Sequence, residues 1–146
     1  MNQISEIKIS YTTNKVNCPP IRNAKDAFDA IFPFFPSDSI ELQESFMVAY
    51  LNTHHELLGV LKHTTGSINA TLTDVRIILG VALKSIATKI IIAHNHPSSF
   101  LKESNADINA TKKLKEAAKM FDIELLDHLI VNAKGEYFSF AENELM

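Results

Sequence analysis

The chain has 146 residues, 46% of them apolar and 21% charged, with a net charge of −3. That is enough for one domain with its own core, and the slightly acidic balance argues against a dedicated nucleic-acid binder, which would be basic. The single cysteine, Cys18, excludes an internal disulfide and any cysteine-rich zinc site and fits a reducing compartment.

Residues 1–3 lack the basic start and apolar core of a leader. No run of about 18 apolar residues exists to span a membrane, so the expectation is a cytoplasmic chain. Residues 3–11 alternate apolar and polar side chains through Ile4, Ile7, Ile9 and Tyr11 and read as a strand, either an edge strand or a partner-binding arm. Asn23 is a good N-cap for a helix over 24–32, with Ala27, Phe28 and Ile31 on one stripe, and Pro33 ends it. The Phe32-Pro33-Phe34-Phe35-Pro36 cluster is either a docking patch or the cover of one side of the core, and burial favours the core.

Residues 44–52 form a strand apolar on both faces, which places it inside a sheet. Glu44 opens that strand as either a solvated end or a placed base, and Glu41 is its nearby competitor. His54-His55-Glu56 is a polar turn leading to a strand over 57–63, so the two strands make a hairpin, and residues 64–67 read as loop. Asp74 caps a helix over 75–86 whose inner stripe runs through Ile78, Val81, Ala82 and Ser85 or Ile86, with Gly80 and Ala82 allowing close approach to a sheet.

The apolar run 90–93 ends in His94-Asn95-His96-Pro97, and Pro97 stops the strand. Residues i and i+2 of a strand share a face, so both imidazoles can address one point. Asp107 lies in the first turn of a helix over 105–120 and can return beside them. Two imidazole nitrogens and one carboxylate oxygen make a zinc-type set with a fourth position left for water. The same spacing also suits a polar strand end. Ser104 is either the N-cap of that helix, worth about 1 kcal/mol, or a hydrogen-bond donor to an oxyanion. Lys112, Lys113, Lys115 and Lys119 form a basic face whose usual explanation is solvation. Residues 123–131 are another strand, 132–135 a turn, and 137–140 a short last strand. Asp127-His128 either orients a ligand imidazole or is a paired polar spot in the sheet.

His94, His96, Ser104 and Asp107 resemble the JAMM (Jab/MPN-type) metalloprotease signature: His-x-His, seven residues, Ser, two residues, Asp. The words AHNHPS at 93–98, LLDHLIV at 125–131 and GEYFSF at 135–140 are similar to the RadC family, with the likeness running from about Arg22 to the end of the chain. The resemblance implies an α/β fold of JAB/MPN type, related to the cytidine deaminases: a curved mixed sheet flanked by helices, with the helices at 75–86 and 105–120 on either side of it. It divides the chain into an extension over 1–21 and a domain over 22–146. It also implies metal ligands His94, His96 and Asp107, one Zn2+ per chain, and catalytic Glu44 and Ser104. Arg76 matches a family arginine, and the stretch from 64 to Ala70-Thr71 would line the approach to the site. The family has Gly where this chain has Ser99, which bears on the loop if that position needs positive φ.

The implied activity is hydrolysis of an amide or isopeptide bond in a peptide or protein substrate. The alternative is a non-catalytic binding module or DNA-repair accessory that keeps the fold. Fuller family members carry a DNA-suited helix-hairpin-helix segment, which the stretch before Arg22 is too short to hold, so a nucleic-acid partner is not favoured. The residues do not specify an oligomeric state. A zinc deaminase would need His-x-Glu and Pro-Cys-x-x-Cys, which a lone Cys18 excludes.

Overall fold

A computed structural model describes residues 5–12, 17–65 and 73–146. Among the described residues, five strands make one mixed sheet in the order β2-β1-β3-β4-β5. They are β1 (Ser45–Leu51), β2 (Leu57–Thr65), β3 (Lys89–Asn95), β4 (Glu124–Val131) and β5 (Tyr137–Ser139). β1 pairs antiparallel with both β2 and β3, whereas β3 and β4 run parallel. Every residue of β1 is buried, as expected of an interior strand apolar on both faces. Thr64 and Thr65 lengthen β2, where the sequence reads as loop. Of the family-implied approach from 64 to Ala70-Thr71, the part over 66–71 lies outside the described residues.

Among the described residues, three α-helices cover the two faces of the sheet. Helix α1 (Ala24–Ile31) starts where Asn23 accepts from the Asp26 N–H at 2.8 Å. Its Ala24, Ala27, Phe28 and Ile31 pack with Phe35 and Ile40 against Met47, Ala49, Leu51, Ile91 and Leu129. The phenylalanine cluster is divided: Phe35 is buried and Phe32 packs on the same core, while Phe34 is half exposed. Helices α2 (Val75–Lys84) and α3 (Asn105–Lys119) lie on the opposite face. Ile78, Leu79, Ala82, Leu114 and Ala118 meet Phe46, Val48, Tyr50, Ile90 and Ile92 there.

The expectation that these two helices flank opposite sides of the sheet is therefore corrected. β2, β3 and β4 point the same way, and both crossovers step across the sheet in one direction. Right-handed crossovers of that kind must lie on one face, and α1 takes the other.

Two further expectations change. Of the strand expected over 3–11, residues 3–4 lie outside the described residues, and residues 5–11 do not adopt strand geometry, with Ile7 and Ile9 exposed; alternation alone does not make a strand. On α2, Ile86 turns outward at φ 56°, past the helix end, and Gly80 sits on the solvent side. The close approach to the sheet is made by Ala82, which is fully buried. No helix of the described residues is long and apolar enough to cross a membrane.

Candidate metal centre

The site forms where β3 ends. Antiparallel register sets Phe46 opposite His94, so Glu44, just before β1, and His96, just after β3, leave the sheet at the same end, and Glu44 feels the charges of His94, His96 and Asp107. Strand alternation puts Glu44, Phe46, His94 and His96 on one face. That is the face covered by α2 and α3, and the first turn of α3 brings in Asp107.

His94 Nε2 lies 2.9 Å from His96 Nε2 and 3.3 Å from Asp107 Oδ1, while His96 Nε2 lies 3.6 Å from Asp107 Oδ2. One ligand atom from each of the three residues falls within 4.8 Å of the others. The remaining ring nitrogens are engaged elsewhere. His96 Nδ1 donates to the Phe100 carbonyl at 2.6 Å, so that in the neutral ring the Nε2 lone pair faces inward. His94 Nδ1 meets His128 Nε2 at 2.7 Å. Two imidazole nitrogens and a carboxylate thus address one point, and a cation is the ligand that suits all three at once. The donor set fits zinc, which takes such ligands at about 2.0–2.2 Å.

Ser104 holds the carboxylate in place. Its Oγ accepts from the Asp107 N–H at 3.0 Å, and its own N–H donates to Asp107 Oδ2 at 2.8 Å. This is a capping box, so the cap read for Ser104 is present. The hydroxyl oxygen accepts in the cap, which leaves its hydrogen unused there.

The electrostatics follow from crowding. Burial pushes the Asp107 carboxyl up, but hydrogen bonds with His94 and His96, the His94 charge and the Ser104 N–H outweigh it. The group is held well below the usual carboxylate range. Burial lowers His96, but the Asp107 and Phe100 hydrogen bonds prevail and leave it raised. Glu44 is raised, first by burial and further by Asp107, with the two imidazoles opposing. It therefore shares the field of the cluster, whereas Glu41 is exposed in the preceding turn.

These shifts predict opposite pH slopes with and without metal. A histidine raised by folding contributes stability that is complete below about pH 6.5 and lost as pH rises through its raised value. Metal-free protein should therefore melt at progressively lower temperature between about pH 6.5 and 8. Zinc-loaded protein should show the reverse, because metal binding needs deprotonated ligands. Thermal melts of both forms across that range test the signs, and parallel slopes would contradict them.

Two flanking residues complete the site. Asn95 points to the opposite face and is fully buried. Its Oδ1 accepts from the Ser45 N–H at 2.6 Å, and its Nδ2 donates to the Ile40 and Gln43 carbonyls at 2.7 and 2.8 Å. Those three partners flank Glu44, so Asn95 holds the backbone that carries it. His128 is fully buried, and burial first, then the His94 charge, drives it well below its ordinary pKa. It is therefore neutral, and its other nitrogen meets Thr111 Oγ1 at 2.6 Å.

The two residues of the Asp127-His128 word have separate jobs. His128 contacts His94, whereas Asp127 on the other face accepts from Ser139 Oγ and the Ala141 N–H. The sequence reading assigned no role to Asn95 or Thr111. Thr111 stands one helical turn after Asp107, and that i, i+4 relation was the available signal.

Other residues fall outside the cluster. His63 accepts the Asp74 N–H at 3.0 Å, Arg76 pairs with Asp74 at 2.9 Å with its side chain exposed, and the α3 lysines are solvated. Ser99 has φ 65°, the backbone region that favours glycine. Ser99→Gly should then stabilise the protein by about 1 kcal/mol. Chemical denaturation reads this directly, and a loss of stability would contradict it.

A mixed sheet crossed by right-handed helices, with two histidines at a strand end and an aspartate in the next helix, defines a JAB/MPN-type domain with a candidate metal centre. The chain belongs to the family described as the RadC-like JAB domain, whose family model matches residues 21–145. It is 37% identical to a UPF0758 protein of Chlorobium luteolum, over 86% of this chain and 55% of that one. A UPF0758 protein of Flavobacterium johnsoniae is also 37% identical, over 84% of this chain and 52% of its own. One from Alkaliphilus metalliredigens is 40% identical, over 71% and 44%. The chain spans about half the length of the curated relatives it matches.

Proposed function

We propose that this domain is a zinc-dependent hydrolase acting on an amide or isopeptide bond of a peptide or protein substrate. The observation that carries the reading is the convergence of His94 Nε2, His96 Nε2 and the Asp107 carboxylate, with both histidine Nδ1 atoms engaged elsewhere.

When bound, zinc would supply Lewis acidity and a water whose pKa is lowered to about 7. His94, His96 and Asp107 would hold it, leaving one position for that water and the substrate carbonyl. Glu44, on the same face and raised by burial, is suited to take a proton from the attacking water and deliver it to the leaving nitrogen. The Ser104 hydroxyl hydrogen, unused by the cap, would donate to the developing oxyanion, where one such donor is typically worth about 3 kcal/mol. Asn95 and the capping box keep Glu44 and Asp107 in position without touching substrate.

The test is cleavage of a library of peptides and lysine-linked isopeptides by zinc-loaded protein, with and without a chelator. The account expects cleavage that stops on chelation and returns with zinc. A protein that holds zinc but cleaves nothing would favour a binding module that keeps the fold.

A further inference from the structure

With both rings neutral, the hydrogen bonds behind His94 run in one direction. Thr111 has a single hydroxyl hydrogen, and its Oγ1 lies 2.7 Å from the Asp107 carbonyl oxygen, which can only accept. Were that hydrogen turned elsewhere, two oxygen lone pairs would face each other at that distance. Thr111 Oγ1 must then accept at His128 Nδ1, 2.6 Å away. His128 carries its hydrogen on Nδ1 and presents a bare Nε2 to His94 Nδ1 at 2.7 Å. His94 in turn must carry its hydrogen on Nδ1. Its Nε2 is left as a lone pair, directed at the point it shares with His96 and Asp107.

We propose that Thr111 and His128 are positioning residues that lock His94 in its Nδ1–H tautomer and so prepare it to bind a cation. The proposal rests on the metal reading of the cluster. The chain is also closed on itself. Asp107 supplies a ligand through its side chain and anchors the relay through its carbonyl, and Thr111 stands four residues on in α3. One helix therefore sets both the carboxylate and the tautomer of the histidine across from it. Phe140 stacks on the His128 ring at 4.4 Å and holds its plane. Partners of this kind behind a ligand histidine typically matter 10–100-fold in metal affinity.

Two measurements test the relay. Long-range 1H–15N spectra of the histidine rings in metal-free protein at pH 8 read the tautomers directly. Both His94 and His128 should appear as Nδ1–H. Competition with a chromophoric chelator reads affinity for zinc alone. Thr111→Val keeps the shape but removes the hydroxyl, and it should weaken zinc roughly 10–100-fold and alter the His94 tautomer signal. Thr111→Ser should restore both to within about threefold.

A metal-free wild type with His94 as Nε2–H would overturn the proposal, as would Thr111→Val binding zinc like wild type. If the valine variant does not fold, the wild-type tautomers still decide. A wild type that shows the expected tautomers yet holds no zinc would sink the metal reading itself, and that failure is distinguishable from failure of the relay.

Discussion

Glu44→Gln is expected to cost about 10²–10⁴-fold in hydrolysis while leaving zinc binding intact. Glutamine keeps the size and one acceptor oxygen but cannot carry a proton between water and leaving group. The residue sits just before β1, at the end of the sheet where Phe46 faces His94, and within the field of His94, His96 and Asp107. Burial raises its carboxyl, which favours holding a proton in transit, and the nearby imidazoles limit the rise. Glu44 is not among the clustered ligand atoms, so metal content should not change. Steady-state rates on a cleaved peptide, with zinc content measured on the same sample, check both halves. Equal rates for the two proteins would remove Glu44 as the proton carrier.

The largest effect on stability is expected at Asn95. Asn95→Ala removes three hydrogen bonds inside a fully buried pocket and leaves the Ser45 N–H without its partner. An unmet buried polar group costs about 1–3 kcal/mol. With the packing lost as well, the total should come to about 3 kcal/mol, a fall in Tm of roughly 8 °C for a domain of this size. The variant should also lose hydrolysis beyond what unfolding explains, because the turn at 40–44 carries Glu44. Zinc affinity should change little, since His94 and His96 face away from Asn95. Denaturation and zinc titration of the variant test this, and a stability change under about 0.5 kcal/mol would contradict it.

Much of the site was legible because its chemistry is local. His94 and His96 share a face through strand period alone, Pro97 marks the strand end, and Asp107 opens the next helix. The partners that orient those groups were not legible in the same way. His128 meets His94 from 34 residues away, and Asn95 reaches Ile40 and Ser45 from 55 and 50. Such contacts depend on strand order, which periodicity does not reveal.

Strand order also explains the misplaced helix. α2 and α3 share a face only because β2, β3 and β4 are parallel and both crossovers move one way across the sheet. Residues 5–12 have the period of a strand but do not form one. Ser99 is the opposite case. A single residue where the family has Gly flagged the positive φ that the backbone adopts.

The most direct measurement of the account is zinc content per chain in wild type, Asp107→Ala and His94→Ala, each purified, stripped and reloaded under the same conditions. Wild type should take up about one zinc and both variants far less, with circular dichroism showing them folded. A folded wild type that takes up no zinc, or variants that hold it as tightly as wild type, would contradict the metal centre.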